Sequence, residues 1–342
     1  MRLVLLSVCL VGALVVTGFL YQWIGARRDR HRYATTGRSI CIGSGQSLCL
    51  VEKGEGELTV LFESGIAATH LNWRRIQEGV SAFARTASYD RAGLGWSSPC
   101  RTARTPANIA NELHTMIEGA GIRPPLILVG HSFGGLVMWR YALSYPEDVA
   151  GVVLVDPMRI EEWPPLDAQK QATLDRGKKL SRYAAPIARL GLARLAVTSV
   201  LCRSGWLSRR LAAAAGHGCR EVLDRISSEV DKMPPEVRPA VAAHWSRPDF
   251  YLGMYSHIKA VPDTVREMLA ADPIAGIPVT ILTPGRSPEL STQALGRIGG
   301  NVQQVMARTS AHWIHLDQPD LVIDTIHGMV LAATSKIPAE TI

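Results

Sequence analysis

The sequence predicts an α/β protein: a mostly parallel sheet covered by helices on both faces, interrupted by a helical insertion and preceded by one helix long enough to cross a bilayer. Three observations predict it. Short apolar runs alternate with helical stretches from residue 58 to residue 156 and again after residue 273. Between Pro157 and Pro273 that alternation stops for over a hundred residues. Finally, Leu3 to Ile24 contains no charged residue.

At 342 residues and 47% hydrophobic content the chain can bury a large core. The net charge of +7 comes from two concentrated basic clusters rather than from a reading helix, which argues against a nucleic-acid partner. The first cluster lies behind the N-terminus. As a helix, the 22 uncharged positions from Leu3 to Ile24 extend about 33 Å, and Arg27, Arg28, Arg30 and Arg32 follow. A cleaved signal peptide competes, but only Arg2 precedes the apolar run and no small-x-small site comes before the arginines. Residues 1–26 therefore read as a retained membrane anchor and 27–37 as a basic linker. Arginines on the C-terminal flank put the rest of the chain on the cytoplasmic side by the positive-inside rule.

After the anchor, Arg38–Ile42 and Ser47–Val51 flank the turn Gly43-Ser-Gly45 and read as a hairpin. Strands are expected at Leu58–Phe62, Thr86–Tyr89, Leu126–Val129, Val149–Val155, Pro278–Leu282 and Val302–Ala307. Helices are expected near Asn72–Ala84, Pro106–Ala120, Leu136–Leu143 and Pro319–Ala332. This assigns residues 38–156 and 274–336 to the core and 157–273 to a helical cap over the C-terminal ends of the strands, where open α/β sheets place their sites. Six cysteines match no zinc spacing and leave the redox compartment open. A Cys41–Cys49 bridge across the hairpin is conceivable and would argue for the extracytoplasmic side; Cys202–Cys219 is a second open pair.

The stretch Leu126-Ile-Leu-Val-Gly-His-Ser-Phe-Gly-Gly135 organises the chain. It reads as a strand running into Gly130-His-Ser-Phe-Gly134, a G-x-S-x-G pattern, and then into a helix. A serine on such a turn needs flanking glycines, because a side chain there would meet neighbouring backbone. The alternative role for Ser132 is an N-cap of the helix that begins at Phe133.

Further segments carry a resemblance. Tyr89–Ser97 reads Tyr-Asp-Arg-Ala-Gly-Leu-Gly-Trp-Ser, and Leu316-Asp-Gln-Pro-Asp320 follows a histidine. With these and Gly130–Gly135 the chain resembles the α/β-hydrolase superfamily, and within it a membrane-anchored bacterial branch of serine hydrolases. The resemblance covers roughly residues 35–156 and 274–335 and leaves the cap out. It implies the α/β-hydrolase fold with an eight-stranded, mostly parallel sheet.

The resemblance also implies roles. Ser132 is the expected nucleophile, and a serine hydroxyl needs a base within reach and donors for the oxyanion that forms. His312, in Arg308-Thr-Ser-Ala-His-Trp after the last strand, is the expected general base. His315 competes, and a His-x-x-His pair evokes a metal, but the sequence offers no third ligand and His315 reads as a helix-start or packing residue. For the acid, the strand Pro278–Leu282 is followed by no carboxylate before Glu289, whereas Asp156 ends the preceding strand, where a minority of the superfamily carries it. Asp156 is preferred, with Glu289 the alternative; the plainer readings are a turn residue before Pro157 and a solvated loop carboxylate. The oxyanion donors are expected to be the backbone N–H groups of Phe133 and Ile66. Asp90 and Arg91 are expected to hold the adjacent loop, His131 to pack under the elbow, and Trp96 to line the pocket mouth or the core.

The second basic cluster runs from Arg176 to Arg210, with nine Lys or Arg and no acidic residue, while Leu180, Tyr183, Ile187 and Leu190 recur at helical spacing. The preferred reading packs that apolar stripe on the core and leaves a solvated basic face; the other rests the helix on anionic lipid. The chain thus reads as a serine hydrolase cleaving a small-molecule or lipid-like ester, with no cofactor or metal expected. Peptidase, haloperoxidase, carbon–carbon hydrolase and acyltransferase chemistry share the machinery, and a non-catalytic homologue binding a hydrophobic ligand or a partner at the membrane is the other class. Epoxide hydrolase and haloalkane dehalogenase chemistry is disfavoured, because it uses a carboxylate where this chain has Ser132.

Overall fold

Every central strand of the protein is apolar on both faces, and that determines the layering. In the computed structural model, which describes residues 1–34, 37–201 and 228–335, the strands are β1 (Arg38–Gly43), β2 (Gln46–Lys53), β3 (Thr59–Glu63), β4 (Arg85–Asp90), β5 (Leu126–His131), β6 (Val149–Val155), β7 (Val279–Pro284) and β8 (Val302–Ala307). Side chains alternate across a strand. Leu61, Leu128, Leu154 and Ile281 therefore face one way, against Leu113, Met116 and Ile117 of α3 (Pro106–Ala120) and Leu136 of α4 (Phe133–Ser144). Val60, Phe62, Val129, Val153 and Val155 face the other way, against Ile76 and Val80 of α2 (Arg74–Val80) and Val322 and Ile326 of the C-terminal helix (Pro319–Thr334). Such two-sided burial is what continuous apolar runs demand of a parallel sheet.

The strands form one sheet in the order β1-β2-β4-β3-β5-β6-β7-β8, parallel except for the β1–β2 and β2–β4 pairs. This is the expected architecture, strand for strand. The helix expected to run to Ala84 ends sooner, at Val80. In the hairpin, Cys41 lies opposite Ser47 and Cys49 opposite Ser39, so the two cysteines are not cross-strand partners and both are free thiols. Cys202 and Cys219 lie outside the described residues.

Between β6 and β7 the chain forms α5 (Ala168–Arg189), α6 (Leu192–Leu201), α7 (Arg238–Trp245) and α8 (Pro248–Leu269). After β7, the described residues form α9 (Thr292–Ile298), α10 (Ile314–Asp317) and α11 (Pro319–Thr334). The first helix, α1 (Arg2–Tyr33), corrects one expectation: the basic segment assigned to a linker continues the helix through Tyr33. Nothing in 27–33 breaks a helix, since it holds neither Gly nor Pro.

The Tyr89–Ser97 segment is a turn built around one buried carboxylate. Asp90 accepts hydrogen bonds from the backbone N–H of His70 and of Trp96, both at 3.0 Å, and lies 2.9 Å from His70 Nδ1. Burial pushes its carboxyl up, but the His70 ring and these donors hold it below the ordinary range. Gly95, at φ +51°, has no room for a side chain: a Cβ would stand 1.9 Å from Asp90 Oδ2. Gly95→Ala is therefore expected to lower the unfolding free energy by about 3 kcal/mol. Denaturant unfolding of the full chain in detergent measures this, and an unchanged midpoint would refute the account.

Candidate active site

The site forms where β3, β5, β6 and β8 end, at one edge of the sheet. β5 delivers Ser132, which takes φ +54° and ψ −120° before α4 begins at Phe133. Such a backbone costs about 1–3 kcal/mol and persists only where its surroundings impose it. Here the Ser132 N–H donates to the Val155 carbonyl at 3.1 Å, and the Ser132 carbonyl accepts from the N–H of Gly135 at 3.0 Å and of Met158 at 3.2 Å. The flanking glycines are required sterically. A Cβ on Gly130 would lie 2.6 Å from the Gly134 carbonyl oxygen, and one on Gly134 would lie 2.5 Å from the Ser64 oxygen. The strand-then-helix context read from the sequence is present, and Ser132 makes no N-cap side-chain hydrogen bond.

Asp156 follows β6 at φ +41°, its N–H donating to the Leu282 carbonyl at 2.8 Å. Its Oδ2 accepts a hydrogen bond from His312 Nδ1 at 2.7 Å. The His312 side chain is 42% exposed and that of Asp156 14%. The sequence-predicted Ser132, Asp156 and His312 all line one cavity of about 450 Å³, together with Met158, Trp163 and Arg286. Glu289, the alternative acid, is exposed and has no hydrogen-bond partner among the described residues.

Behind His312 lies a stack of aromatic and imidazole rings. His131 is buried and its Nε2–H donates to the His312 carbonyl at 2.9 Å, which fixes the loop carrying His312. The His315 ring packs 4.5 Å from His131 and 4.7 Å from Trp73, as expected for a packing residue. Burial, reinforced by the neighbouring imidazoles, holds His131 well below its ordinary pKa and takes His315 to about 3. Among the described residues no cluster of three ligating side chains surrounds His315.

The β3 exit loop completes the site. Ala67 stands at φ +67°, and Gly65 lies so close to the elbow that a Cβ would meet Ser132 Cβ at 3.5 Å. Among the described residues, the N–H groups of Ile66 and Phe133, the expected oxyanion donors, are bound to no backbone carbonyl. Arg91 holds the loop from beneath: Nη1 donates to the Ser64 carbonyl at 2.9 Å and Nη2 to the Gly65 carbonyl. Arg91 also pairs with the fully buried Glu63 at 3.3 Å, and the Tyr89 hydroxyl donates to the same carboxylate. Burial pushes the Glu63 carboxyl up, against Arg91 and Tyr89. This buried charge network was not read from the sequence beyond the loop-holding role of Arg91. The one available signal was Glu63 at the end of an otherwise apolar strand.

Against this geometry, residues 59–195 match the protein family described as "alpha/beta hydrolase fold". A Bacillus subtilis relative, "Uncharacterized protein YqjL", is 31% identical over 105 residues, 31% of this chain and 42% of its own. The human "(Lyso)-N-acylphosphatidylethanolamine lipase" is 36% identical over 89 residues, 25% of this chain and 26% of its own. The chain thus spans less than half the length of these relatives. Among solved structures, "Epoxide hydrolase CorEH without ligand" superposes with a TM-score of 0.63 at 16% identity, over 87% of this chain and 99% of that one. The chain has the α/β-hydrolase fold. The relatives carry more than one chemistry, so the fold alone does not decide the reaction.

The buried imidazoles predict acid sensitivity. His244 and His315 have native pKa values of about 3, depressed first of all by burial, against roughly 6.5 when unfolded. Each contributes stability that is fully present above about pH 6.5 and is lost as pH falls toward 3, because the unfolded chain takes up the proton first. Stability should fall by up to about 1.4 kcal/mol per pH unit for each, and His315→Phe should remove one such increment between pH 6 and pH 4. Denaturant unfolding at several pH values measures the slope; an unchanged slope in the variant would contradict the burial argument.

Proposed function

We propose that the protein is a membrane-anchored serine hydrolase cleaving carboxylic esters. The observation that carries this reading is the 2.7 Å hydrogen bond from His312 to Asp156 in a cavity that Ser132 also lines. Ser132 Oγ attacks the ester carbonyl carbon while His312 Nε2 takes its proton, and Asp156 holds the tautomer and stabilises the imidazolium. The N–H groups of Phe133 and Ile66 donate to the oxyanion of the tetrahedral intermediate. Its collapse breaks the ester C–O bond, and His312 returns the proton to the departing alcohol. Water then attacks the acyl-enzyme by the same route, giving the acid and free Ser132. The residues suit acyl chemistry rather than epoxide opening, because the attacking position carries a hydroxyl and not a carboxylate.

The long apolar helix supports anchoring: Arg2–Tyr33 is long and apolar enough to cross a membrane. With its arginines after the apolar stretch, we place the hydrolase domain on the cytoplasmic side of a bacterial inner membrane. A C-terminal reporter active only outside the cytoplasm would reverse that orientation.

A fluorophosphonate probe should label the full chain and lose all labelling in Ser132→Ala. Asp156→Asn should lower kcat/KM on p-nitrophenyl esters on the order of a thousandfold, while Glu289→Gln leaves it within about twofold. Labelling that persists without Ser132 would overturn the assignment of the nucleophile, and the reverse ranking of the two acids would overturn that of Asp156. Varying acyl length in the same assay defines the substrate range.

A further inference from the structure

The apolar stripe on α5 is not buried. Leu174, Ser181, Ala185 and Ala188 form the buried face of that helix, whereas Leu180, Tyr183 and Ile187, which recur at i, i+3 and i+7, are turned away from it. With Leu192 and Leu195 of α6 they expose between 43% and 69% of their surface. This corrects the expectation that the stripe packs on the core. Arg176, Lys179, Arg182 and Arg189 flank it, all exposed, with Asp175 the acidic neighbour of Lys179.

The place of this patch is set by how α1 docks. Gly18, Gln22, Gly25 and Asp29 recur at i, i+4, i+7 and i+11 and form one stripe along α1. A Cβ on Gly18 would stand 2.5 Å from the Leu190 carbonyl oxygen, and one on Gly25 would stand 2.6 Å from Arg194 Nε, so the α1 backbone meets cap backbone at Gly18 and the Arg194 side chain at Gly25. Between the glycines, Gln22 accepts from Arg194 Nε at 3.0 Å and donates to the Ser246 carbonyl at 3.0 Å. Arg194 also pairs with Asp29 at 2.6 Å. The cap is thus fastened to α1 from Gly18 onward.

That fastening conflicts with a cap held clear of the bilayer. The undocked apolar part of α1, Leu3 to Thr17, is 15 residues long. As a helix it covers only about 22 Å of a hydrocarbon core about 30 Å thick. Spanning the core needs about 20 residues, which brings in Gly18 to Gln22 and ends at Tyr21 and Trp23, side chains suited to the interface. The Leu190–Gly191 corner, in contact with Gly18 and Tyr21, must then sit about 5–10 Å below the headgroup boundary, the depth of an interfacial amphipathic helix.

We propose that the α5–α6 corner of the cap is embedded in the same leaflet that α1 enters: the exposed Leu180, Tyr183, Ile187, Leu192 and Leu195 sit among acyl chains, and the flanking cations meet anionic headgroups. The proposal rests on α1 spanning the membrane. It deepens the hydrolase reading by making the leaflet the cap's immediate surroundings.

The test uses the full chain in nanodiscs of phosphatidylcholine with a minor share of phosphatidylglycerol, doped with a phospholipid bearing a diazirine in its acyl chain. After photolysis, lipid adducts are mapped by mass spectrometry. Adducts are expected on peptides spanning 180–195 as well as on the N-terminal part of α1. Leu180→Glu, Tyr183→Glu and Ile187→Glu combined should cut the cap adducts about tenfold while those on α1 persist, which also reports an intact anchor. Adducts confined to α1 in single-chain discs would overturn the proposal and leave the anchor standing. Adducts on neither segment would overturn both. Two-chain discs whose cap corners cross-link to each other and carry no lipid would give the patch to a second copy and likewise overturn it.

Discussion

The arrangement at the site depends on one contact that only glycine permits: the backbone of α4 at Gly134 lies against the carbonyls of Glu63 and Ser64 at the end of β3. Because these segments touch without a side chain between them, the position of the loop bearing Ile66 is set directly by the turn bearing Ser132. Both loop carbonyls from Ser64 and Gly65 point down to the Arg91 guanidinium, and the N–H of Ile66 has no backbone partner among the described residues. A charge as deeply buried as Arg91 is tolerable only when paired, and Glu63 supplies the pair. Buried polar groups beneath the loop thereby determine where the Ile66 N–H stands relative to Ser132.

Much of the fold was legible because its elements carry local signals. Runs such as Leu126–Val129 and Val149–Val155 are apolar at every position, which suits a strand covered on both sides and little else at that length. Gly130 and Gly134 were legible for the same reason: the elbow tolerates no Cβ, so the requirement is written directly into residue type. His312 and Asp156 were read by position relative to strands, and the structure brings them within hydrogen-bonding distance. The choice between Asp156 and Glu289 stayed open in the sequence because it turns on which strand end faces His312, a distance no local pattern encodes.

What was misread depends on long-range packing. The stripe of Leu180, Tyr183 and Ile187 has the spacing of a core-facing helix, and only the three-dimensional placement of α8 and α1 shows that another, smaller-residue face is the buried one. Likewise Gly18, Gln22 and Gly25 look like ordinary interruptions of an apolar helix until Arg194, far away in sequence, is found lying across them. Small residues in an apolar helix signal close approach, but not the identity of what approaches.

The exit of β6 has a consequence for modularity. Asp156, Pro157 and Met158 lead directly into the insertion, yet the Met158 N–H bonds to the Ser132 carbonyl and Pro157 packs against Gly135. The first residues of the cap are thus structural parts of the elbow. An insertion exchanged for another would have to be grafted beyond Met158; a junction placed at Pro157 would cut through the support of the Ser132 turn itself.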